Sequence, residues 1–148
     1  MSDTSSSATE LNTDTISHHE ALIYVMVTMS AVDRTISDQE LARIGNIVSQ
    51  LPIFKGFDSE MLVPASEACG TILGRENGLN DLLNVIALAL PESLYETAYA
   101  MAVDIAAIDL DVTQEELRFL QLLCDKLSLD KLAIAAIERG AKARHATL

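Results

Sequence analysis

Shifted by 76 positions, the chain matches itself. Glu20 falls on Glu96, Asp33 on Asp109, Ile36 on Val112, Ser37 on Thr113, and Glu40-Leu41 on Glu116-Leu117. Seven identities lie between residues 20 and 51, and apolar positions meet apolar positions: Ile44, Ile47 and Leu51 fall on Leu120, Leu123 and Leu127. Spacings of three and four along Leu41, Ile44, Ile47, Val48 and Leu51 put these side chains on one helical face. Each copy therefore reads as helix, short polar bend, helix. Such a unit exposes an apolar face, and two copies bury theirs by packing together about a pseudo-twofold axis.

The rest of the 148-residue chain fits this reading. Aromatics are 4% and tryptophan is absent, so the core is built from Leu, Ile, Ala, Val and Met. Six Gly and three Pro are too few for a many-turned β protein. The expectation is an all-α bundle of about seven helices in one domain, residues 18–141, after a flexible Ser/Thr-rich tail (1–17) and before a basic tail (142–148) that frays. Helices are expected from about His19 to Val32, from Ser37 to Leu51, and from Asp58 to about Arg75 with Pro64 near its start. Others follow from Asn80 or Asp81 to Leu90, from Glu92 to Ile108, from Thr113 to Leu127, and from Ser128 or Asp130 to near Gly140. The "LPIFKGFD" loop, Leu51 to Asp58, is expected to tuck its two phenylalanines onto the core.

A formal charge of −12 disfavours nucleic acid, whose phosphates need clustered Lys and Arg. It suits cation binding or plain solubility. Cys69 and Cys124 stand far apart with no CxxC and no Cys/His cluster, as buried reduced thiols of a cytosolic protein do. The first residues have neither the basic start nor the apolar run of a signal peptide. The longest apolar stretch, Ala21 to Val32, is shorter than the roughly 20 residues a membrane helix needs.

The two bends carry the chemistry worth weighing. With Glu40 at the last position of an EF-hand loop, Asp33 sits at the fifth, but Met29 and Ala31 occupy the first and third and Arg34 replaces the glycine. In the second copy Ile105, Ala107 and Leu110 fail at the same places. Neither bend is an EF-hand. Ser37 followed by Glu40, and Thr113 followed by Glu116, have capping-box spacing, which accounts for both glutamates without a ligand. Asp33 and Asp109 are less simply accounted for. Each closes a helix, where the macrodipole disfavours an anion, so a basic group, amide N–H groups or a bound cation must compensate.

Helical rise puts Glu20 about 20 Å from Asp33 along one helix, so these two cannot share an ion. Antiparallel packing of the first and fifth helices would bring Glu20 toward Asp109 and Glu96 toward Asp33. Asp111 adds an oxygen to the second bend where the first has Thr35, and Arg34 opposes a cation at the first. The candidate ligands of a divalent cation (calcium, magnesium or zinc) are thus Asp33, Glu40, Asp109, Asp111, Glu116, Glu20 and Glu96. Asp104, on a helix that otherwise reads as core, is expected at the bundle rim. His18 and His19 read as solvated or capping. No glycine-rich phosphate loop, HExxH or nucleophile–base pair is present, so an enzyme ranks third among the readings.

The repeated a-x-D-x-x-I/V-S/T-x-x-E-L bend, with the "LPIFKGFD" segment after the second helix, resembles the TerB-like tellurite-resistance proteins over about Ala21 to Asp130. Where the family motif reads Asp-Gly, this chain has Arg34 and Leu110. The resemblance implies an all-helical, duplicated, acidic domain of a cytoplasmic stress response. It implies a non-enzymatic protein with metal-binding and partner-docking roles, the latter extending to membrane-associated complexes. The family's acidic positions fall on Asp33, Glu40, Asp109 and Glu116. The alternative is a purely structural adaptor, without metal, whose acidic residues are caps and solvated faces.

Overall fold

The computed structural model describes residues 15–31, 35–108 and 112–148. Within them the chain is an all-α bundle of seven helices with no strand. These are α1 (His18–Ala31), α2 (Asp38–Gln50), α3 (Leu62–Leu73), α4 (Gly78–Ala89), α5 (Tyr95–Ile108), α6 (Gln114–Leu127) and α7 (Lys131–Arg144). Single 3-10 turns at Pro52–Phe54, Ser59–Met61 and Glu92–Leu94 shape the connections. The described residues include no helix long and apolar enough to cross a membrane.

α1 and α5, the first helices of the two copies, pack against each other at the centre. Every residue from Ala21 to Ser30 is buried. A helix apolar on all sides must be enclosed on all sides, and α3, α4 and α2 complete the enclosure of α1 while α7 and α6 cover α5. The polar groups inside are partnered: the Thr28 hydroxyl lies 3.5 Å from Cys69 Sγ, and the Cys69 thiol donates to the Tyr24 carbonyl at 3.8 Å. The Leu51 to Asp58 loop is held as expected. Phe54 is buried, His19 Nε2 donates to the Ile53 carbonyl at 2.6 Å, and the His19 ring stacks on Phe54 and meets the edge of Phe57. His19 is therefore a loop anchor rather than a solvated residue.

Four helices differ in their bounds from expectation. α3 proper begins at Leu62, after a 3-10 turn over Ser59–Met61, and ends at Leu73. α4 opens at Gly78, before Asn80, because the chain turns there against the end of α3. A Cβ at Gly78 would stand 2.2 Å from the Leu73 carbonyl oxygen, so the approach requires glycine. α5 proper begins at Tyr95, after a 3-10 turn over Glu92–Leu94. α7 continues to Arg144, past Gly140, so the first three residues of the basic tail expected over 142–148 are helical. Its last turn is tied down by Ala141, which is buried, and by Arg144 Nη2, 2.8 Å from Asp104 Oδ1, with His145 Nε2 3.5 Å from the same oxygen. Asp104 is half-buried at the rim, with Arg144 and His145 as partners. The tail expected over residues 1–17 lies outside the described residues as far as Asp14.

The second helices of the two copies differ in the face they bury. α2 buries Glu40, Ile44 and Val48, whereas α6 buries Phe119, Leu123 and Leu127. At an offset of 76 the second stripe is displaced by one residue, about 100° of helix rotation. Arg43, half-buried, stands where the second copy has fully buried Phe119.

Candidate functional site: two capped acidic bends

Each bend ends in a helix N-cap made by a hydroxyl. Ser37 has extended backbone, and its Oγ accepts from Glu40 N at 3.1 Å while its own N–H donates to Glu40 Oε1 at 3.0 Å, a full capping box. Thr113 Oγ1 accepts from Glu116 N at 3.1 Å, and the same hydroxyl contacts Glu116 Oε1 at 3.2 Å, donating to it. Both expected caps are in place.

Glu20, a candidate ligand by symmetry, is also engaged. Its N–H donates to Ser17 Oγ and its Oε1 accepts from Ser17 N, both at 3.1 Å. The sequence carries this signal in Ser17-His18-His19-Glu20, with the spacing of Ser37 to Glu40, and the expectation of Glu20 as an ion ligand passes over it. Glu96 is exposed in the first turn of α5. Asp33, Asp109 and Asp111 lie outside the described residues, and so do the expected approaches of Glu20 to Asp109 and of Glu96 to Asp33.

The structure does bring two of the candidate residues together across the copies. Glu40 and Glu116 line one small cavity with Met29, Ser30, Arg43, Ile105 and Ile108. Met29 and Ile105, like Glu40 and Glu116, are separated by 76 positions, so equivalent residues of both copies converge there. The cavity holds about 10 Å³, near the size of one water. Glu40 is only 8% exposed, and burying a carboxylate costs several kcal/mol unless it is bonded or paired. The Ser37 amide supplies a hydrogen bond, and Arg43 places a positive charge in the same wall.

This cavity by itself fits a divalent ion poorly. It offers two carboxylates and the Ser30 hydroxyl, beside a guanidinium that opposes a cation, whereas calcium takes about six to eight oxygens. Among the described residues no three His, Cys, Asp or Glu side chains gather as a metal would need. Any shell at a bend therefore requires the bend aspartates. The thiols supply none: burial pushes the Cys69 thiol up to about 11, and it raises half-buried Cys124 as well. Comparisons of the chain with family models, with curated proteins and with solved structures gave no match.

Proposed function

We propose that the chain is a TerB-like, non-enzymatic module of a cytoplasmic stress response that binds a divalent cation at its acidic bends and docks on a protein partner. The observation that supports the reading is that glutamates of both copies, Glu40 and Glu116, line one small cavity next to the bends, where the bend aspartates would have to complete any shell. Asp109, Asp111 and Glu116 would hold the ion at the second bend, with water completing the shell. Arg34 weakens the first bend, where Asp33 and Glu40 would serve. The bound ion would supply positive charge at the turn, offsetting the helix-end aspartates.

One observation favours a second reading, a structural adaptor without metal: Glu20, Glu40 and Glu116 all meet the hydroxyl residue that caps their own helix. Calorimetric titration with calcium, magnesium and zinc separates the two. The cation reading expects binding by the wild type, loss in Asp109→Ala, and lesser loss in Asp33→Ala. Equal loss in both variants contradicts the preference for the second bend, and no binding by the wild type leaves the adaptor.

A further inference from the structure

We draw no further inference here: the strongest candidate, the solvent-facing side of α7 where Leu132 stands exposed among Lys131, Arg139 and Lys142, carries nothing, because no feature of the structure shows what covers that face.

Discussion

Ser37 and Thr113 each set where a helix begins, and the cost of removing them is measurable. Either hydroxyl replaced by alanine leaves a first-turn N–H unsatisfied, so Ser37→Ala and Thr113→Ala should each lose about 0.5–2 kcal/mol in urea melts. No loss would mean that the observed contacts do not bear on stability. These residues were legible because capping chemistry is local: a hydroxyl and a glutamate three positions on suffice. Cys69 is the opposite case, since its environment comes from α1, far away in sequence. Burial lifts its thiol from 9.0 to about 11 against the partial lowering by Thr28. At neutral pH a thiol reagent should therefore modify half-buried Cys124 first and reach Cys69 only as the chain unfolds. Because the folded pKa lies above the unfolded one, the contribution of Cys69 is full below pH 9 and lost as pH rises through about 11. The thermal midpoint should fall more steeply over that window in the wild type than in Cys69→Ala.

At the scale of elements, helix identity was legible in the apolar periodicity and helix ends were legible only where the cap is local. Asp130, whose carboxylate accepts from Ala133 N, marks the start of α7 in the sequence as it does in the fold. The start of α4 was not legible, because it depends on Gly78 passing the Leu73 carbonyl. Gly78→Ala should destabilise by about 1–3 kcal/mol through that clash, read from chemical melts. The end of α7 depends on Asp104, some 40 positions away. Asp104→Ala should raise amide exchange over Ala141 to Arg144 while changing global stability by less than about 1 kcal/mol, since the pair is partly exposed. Unchanged exchange would assign the helix end to Ala141 packing alone. The different buried faces of α2 and α6 were also hidden, although the exchange of Arg43 for Phe119 that accompanies them is plain in the aligned copies.

For the molecule as a whole, the offset of 76 pointed to the central pair: α1 and α5 hold equivalent places in the two copies and pack together. The meeting of Glu40 with Glu116 was not read from the sequence. Helix length and the repeat symmetry put Glu20 forward as a partner of Asp109 and Glu96 as a partner of Asp33, and only the packing of α2 and α6 against α1 and α5 brings Glu40 and Glu116 to one cavity. The central claim is that the second acidic bend binds a divalent cation. Amide NMR during a calcium titration, repeated with magnesium and zinc, tests it residue by residue. The account predicts saturable shifts over Val112 to Leu117 with much smaller ones over Ile36 to Leu41. Equal shifts at both bends, or none at either under any of the three ions, would contradict it.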